Sequence, residues 1–122
     1  MSEWYPHEAG ATVGTRGPEG ARVVLDLEWG DPEEPDDADA RLTLESSAET
    51  AWKVIANLYG GWLYLVVAES SESAAQKTFD TLKADLERLT ALIPLEGEGN
   101  MDEKVRQLLT AVTELEEKNT VI

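Results

Sequence analysis

No cysteine occurs in this chain, and histidine is present only once, as His7. The first absence excludes disulfides, thiolate nucleophiles and cysteine-ligated zinc or iron; the second excludes sites built from several histidines. A serine-histidine-acid arrangement would have to use His7, yet no GxSxG elbow accompanies it. Bases are also scarce, with 10 Lys and Arg against 25 Asp and Glu, a formal net charge of −15. Divided after Ala68, the two parts carry 13 acids with 4 bases and 12 acids with 6 bases, or −9 and −6, so both are acidic. Such a field repels phosphate backbones and anionic lipid heads, which argues against nucleic-acid and membrane partners. The longest apolar run, Trp62 to Ala68, is far too short to span a bilayer, and MSEWYPHEAG has neither a basic region nor an apolar stretch of the secretory kind. A cytoplasmic protein of one domain is the expectation at 122 residues.

What the chain does have is one strongly patterned stretch, AWKVIANLYGGWLYLVVA at 51–68. Two runs rich in aromatic and β-branched residues meet at Gly60-Gly61, a pair that accepts the positive φ angles of a tight turn. Antiparallel pairing about that turn sets residues whose numbers sum to 121 opposite one another. Alternation then sorts the side chains onto two faces. One face, Trp52, Val54, Ala56, Leu58, Leu63, Leu65 and Val67, is wholly apolar and must be core. The other carries Lys53, Ile55, Asn57, Tyr59, Trp62, Tyr64, Val66 and Ala68.

Around this hairpin the chain reads as strands first and helices last. Residues 1–10 are irregular, with Trp4 and Tyr5 tucked against the body of the domain. A short strand is expected at 11–16, a reverse turn at Gly17-Pro18-Glu19-Gly20, and a strand at 21–29 with Val23, Leu25, Leu27 and Trp29 inward and Arg22, Val24, Asp26 and Glu28 outward. The segment GDPEEPDDAD at 30–39 has two prolines and six acids, so no fixed structure is expected there. Leu42 and Leu44 mark a third strand at 40–45. From Glu69 the period changes. Ala75, Phe79, Leu82, Leu86, Leu89 and Ile93 form a helical stripe, begun by Ser73 with Gln76 or by Ser71 and stopped before Pro94. After a connector at 95–99, Asn100 with Glu103 opens a second helix whose stripe is Met101, Val105, Leu108, Leu109, Val112 and Leu115, ending near Lys118. The pattern predicts an α+β domain, with a five-stranded antiparallel meander at 11–68 and two amphipathic helices at 69–118 packed on one of its faces.

Two helices about 10 Å wide cover one face of such a sheet but not both. Ile55, Tyr59, Trp62, Tyr64 and Val66 therefore either meet the N-terminal segment, packed behind a curled sheet, or remain available; in the second case they are the candidate interface, through which a homodimer or another protein is expected to bind. Acidity biases the choice toward a basic partner, as an inhibitor or immunity-type antagonist would require. The alternative is a small-ligand-binding protein or small enzyme with a pocket between sheet and helices. Two weaker constellations stand beside these. Asp31, Glu33, Glu34, Asp36, Asp37 and Asp39 offer oxygen ligands for calcium but lack the EF-hand glycine and twelfth-position glutamate, which favours a solvated loop. Asp26 and Glu28, about 6 to 7 Å apart at i and i+2 on a strand, approach a glycosidase carboxyl pair, but catalysis would need one of them buried. No catalytic, metal or cofactor residue is assigned.

Overall fold

Each stretch of period-two sequence pairs with the next one along the chain. The computed structural model describes residues 2–94 and 101–119. It contains β1 (Glu3–Pro6), β2 (Arg22–Gly30), β3 (Ala40–Ala48), β4 (Ala51–Leu58) and β5 (Leu63–Glu69), followed by α1 (Glu72–Thr90) and α2 (Met101–Asn119). The five strands form one antiparallel sheet in chain order. The hairpin has the expected register, from Trp52 opposite Glu69 to Leu58 opposite Leu63. Its reversal depends on Gly60 and Gly61, at φ 98° and 79°, values that strain a residue bearing a Cβ.

The helices cover the aliphatic face. Ser71 caps α1 by accepting from the Ala74 N–H at 3.1 Å, in preference to Ser73. The α1 stripe of Ala75, Phe79, Leu82, Leu86 and Leu89 is buried against Leu42, Leu44, Trp52, Val54, Ala56, Leu58 and Leu63. Full burial of each such large side chain contributes about 1.5–3 kcal/mol. Leu108, Val112 and Leu115 of α2 complete the cluster, with α2 lying against α1 and β5. Met101 and Leu109, expected in the second stripe, point outward at 39% and 49% exposure. The connector at 95–99 and the Asn100 cap lie outside the described residues.

Two expectations for the N-terminal third are corrected. The first strand is Glu3–Pro6, within the segment read as irregular, while 11–16 is not a strand. Pairing Trp4 opposite Trp29 brings the two indoles edge to face, with centroids 5.5 Å apart. That gain recruits residues whose sequence shows no alternation. The chain then curls: Glu8 and Ala9 are left-handed, Thr15 N–H returns to the Thr12 carbonyl, and only Arg16 makes an isolated bridge, to Arg22. The second correction concerns Val23. A bulge between Val23 and Leu25 turns Val23 away from Leu25 and Leu27, onto the face of Glu45. There its N–H and carbonyl bond Thr15 and Gly14 of the curl. The acidic segment is more ordered than its composition suggests, since Asp31 Oδ1 accepts from the Glu33 N–H and a 3₁₀ turn runs from Pro35 to Asp37.

Gly17 is where the curl presses closest on the sheet. A Cβ there would lie 2.7 Å from the Glu45 carboxyl carbon and 2.8 Å from Val23 Cγ2, and neither neighbour is free to retreat. Gly17→Ala is expected to destabilise the fold by about 1–3 kcal/mol, read as a lowered midpoint in urea unfolding, whereas Gly61→Ala acts only through its positive φ.

Candidate interaction surface

The face of the sheet opposite the helices carries carboxylates that the chain itself buries. Asp26, Glu28 and Glu45 are 3%, 5% and 0% exposed, and Thr43 is 1% exposed. Burial of a charge is tolerable only when partners replace its water, and all three acids have them. Asp26 receives a bidentate Arg41 guanidinium, Nε to Oδ1 at 2.8 Å and Nη2 to Oδ2 at 2.6 Å, and the Thr43 hydroxyl donates to Oδ1 at 2.9 Å. This hydrogen bond from Arg41 pushes the guanidinium further above its already high pKa. Glu45 accepts from the backbone N–H groups of Glu19 at 2.8 Å and Ala21 at 2.9 Å, both in the curl. Glu28 accepts from the Tyr59 hydroxyl at 3.0 Å, while His7 Nδ1 stands 2.9 Å from its other oxygen. The His7 contact is close without being a hydrogen bond.

These partners account for the carboxylate pair singled out from the strand spacing. Asp26 and Glu28 are buried, as acid-base chemistry would ask, but Arg41 and Thr43 hydrogen-bond to the first, Tyr59 hydrogen-bonds to the second, and His7 lies against it. They work as anchors for the curl and for β3. Among the described residues no group of three or more His, Asp or Glu is arranged to hold a metal ion. An open cleft of about 520 Å³ beside His7, Glu28, Asp36 and Tyr59 marks where the curl begins. A larger one, about 620 Å³, lies at the end of the sheet between Glu45, Lys53, Glu69 and Ala74.

The five candidate interface residues are divided by this arrangement. Ile55, opposite Thr43 and Val66, is only 2% exposed. Tyr59 is half-buried with its hydroxyl committed to Glu28. Trp62 sits in the turn, folds over Gly60 and packs against the core cluster on the helical side. Tyr64 and Val66 remain together on β5, Tyr64 at 51% exposure with its hydroxyl donating to Glu19 at 2.7 Å. The curl thus covers the β2 and β3 half of the face and stops at Glu19, leaving the β5 half open.

Beyond Tyr64 and Val66 lies the sheet edge. Tyr59 N–H bonds the Asp39 carbonyl, which fixes the odd residues of β4 toward β3 and the even ones toward β5. In β5 the odd residues therefore face β4, and the N–H and carbonyl groups of Tyr64, Val66 and Ala68 point outward. Among the described residues no backbone hydrogen bond from another segment reaches them. The opposite edge differs: β1 is four residues long, starts at Glu3 and ends at Pro6. Shortness, charge and proline are the usual guards of a sheet edge. β5 has none of these from Leu63 to Ala68, and its register with β4 is free of bulges. A scan of family models, a search of curated proteins and a search of solved structures each found no match to this chain.

Asp26→Ala is expected to cost about 3–5 kcal/mol by leaving the Arg41 guanidinium unpaired, and joint replacement by Asp26→Leu and Arg41→Met to recover much of that loss; urea unfolding of the single and double variants checks both. A second expectation concerns alkali. Burial, the Glu28 hydrogen bond and the nearby Glu28 charge raise Tyr59 above the ordinary 10.0, and partial burial with the Glu19 hydrogen bond pushes Tyr64 up to about 12. A phenol whose folded pKa is raised contributes stability that is fully present below its unfolded pKa and lost as pH rises through the folded value. The unfolding midpoint should therefore fall as pH climbs above 10.0, with phenolate absorbance appearing later in the folded than in the denatured protein.

Proposed function

We propose that this protein is a non-catalytic interaction module that self-associates as a homodimer through the edge of β5 and the Tyr64 and Val66 side chains beside it. The observation that supports this reading is the contrast between the two sheet edges. One is short, charged and closed by proline, whereas the other offers six apolar residues in regular register with three outward N–H and three outward carbonyl groups. An edge of that kind recruits another strand. Pocket chemistry between sheet and helices has less to support it, because that space is filled by Leu42, Leu44, Leu58, Leu82, Leu86, Leu89 and Leu108, each 1% exposed or less. A cytoplasmic location fits a chain without cysteine. Among the described residues no helix is long and apolar enough to cross a membrane.

The acidity of the chain favours a second occupant of the same edge, a basic protein donating its own strand, as in an inhibitor or immunity-type pairing. Salt separates the two. Copies carrying −15 each repel, so a homodimer tightens as salt screens that repulsion, while a complex with a basic protein weakens.

Sedimentation equilibrium across a wide concentration range tests the proposal. The native chain is expected to be a dimer that strengthens with added salt. Ala68→Pro removes an outward N–H and leaves the β4 ladder intact, so it is expected to yield a folded monomer with an unchanged circular dichroism spectrum. A native chain that stays monomeric at every concentration and salt would overturn the reading.

A further inference from the structure

Resting on that reading, we infer that the second copy binds antiparallel with Val66 on the two-fold axis, so that residues paired across the new interface sum to 132. Hydrogen-bond parity decides the register. Only Tyr64, Val66 and Ala68 present N–H and carbonyl groups outward, so an even-numbered residue must meet an even-numbered one. A sum of 130 or 134 aligns two of the three within β5 and strands the third. A sum of 132 aligns Tyr64 with Ala68, Val66 with Val66 and Ala68 with Tyr64, which satisfies all six outward groups.

Side chains agree with the backbone. Across the interface the large, half-exposed Tyr64 ring faces the small, exposed Ala68 of the second copy, twice, on either side of a Val66 pair. On the helical face the same register sets Leu65 opposite Val67. Against the net repulsion of two acidic chains, a local match of charges at the edge points to a second copy of this chain as the occupant. Lys53 lies opposite Ala68 on β4, and it has no ion-pair partner among the described residues. Two strand spacings, about 10 Å, separate it from Tyr64 of the second copy. Between Glu45 on β3 and the small Ala68 on β5, a lysine stem is long enough to extend over Ala68 toward that ring, whose hydroxyl already holds Glu19. Each copy thereby brings an ammonium to the other's tyrosine and carboxylate, within a chain otherwise short of cations.

The absence of natural cysteine makes the register directly readable. Directly opposed residues of a hydrogen-bonded antiparallel pair have Cα atoms about 5.5 Å apart, within the range of a disulfide. Mild oxidation of Val66→Cys is therefore expected to give a covalent dimer on a denaturing gel. Tyr64→Cys and Ala68→Cys, each alone, place like sulfurs about 13 Å apart and should give none. An equimolar mixture of these two should give the cross-linked heterodimer. If sedimentation shows a dimer but Val66→Cys does not cross-link, or Ala68→Cys links to itself, the register is overturned and self-association stands. If the native chain is monomeric, the self-association reading falls and this inference falls with it.

Discussion

Three carboxylates sit on a sheet face from which the chain excludes water, and the arrangement of that whole side follows from supplying them with partners. Asp26 takes Arg41 and Thr43 from the neighbouring strand, Glu45 takes two backbone N–H groups from 19–21, and Glu28 takes His7 and Tyr59. Removing one partner from such a set costs more than the set contributes, because the group left behind stays buried and unsatisfied. The curl from His7 to Ala21 is thus held to the sheet by polar contacts at both ends, with the Val23 bulge tied to its middle. A structural role for these acids follows from their occupancy.

The extent of the curl also decides where the surface is left open. It passes over β2 and β3 and reaches as far as the Glu19 contact with Tyr64. The helices, on the other side, cover β3, β4 and β5. Among the described residues neither layer supplies backbone hydrogen bonds to the outer side of β5. The molecule is therefore asymmetric about its central strand, with one edge guarded by a short strand and proline and the other bare.

Much of this architecture was legible from alternation alone. The sum-to-121 register, the aliphatic face and the α1 stripe all depend on residues whose spacing matches a single period, and local and tertiary preferences agree there. The N-terminal third was not legible, for a physical reason. β1 is stabilised by what it meets, the Trp29 ring and the Leu27 to Gly30 backbone, and four residues carry too little pattern to announce a strand. Likewise Val23 obeys the alternation of its own strand on paper but is displaced by a bulge, which leaves no signature without a partner strand to count against. Among the candidate interface residues, alternation puts Tyr64 and Val66 on the face opposite the helices, where they lie, whereas the commitments of Tyr59 and Trp62 were not visible. A hydroxyl that seeks Glu28 and an indole that folds back over glycine depend on residues outside the hairpin. The Asp26 to Arg41 pair could have been anticipated: once sequential strands are paired by their leucines, Asp26 lies opposite Thr43, and Arg41 is the diagonal neighbour two residues along on the same face.

One hydrogen bond has a consequence for how the chain comes together. Trp4 Nε1 donates to Glu87 Oε1 at 2.6 Å, joining residues 83 positions apart, whereas every strand pairing in the meander joins segments adjacent in sequence. The sheet can zip from the central hairpin outward with short loop closures, but this clasp cannot form until α1 has docked. The strand that comes first in chain order is thus the last to be secured, and its amides trade hydrogen with solvent sooner than those of the central hairpin.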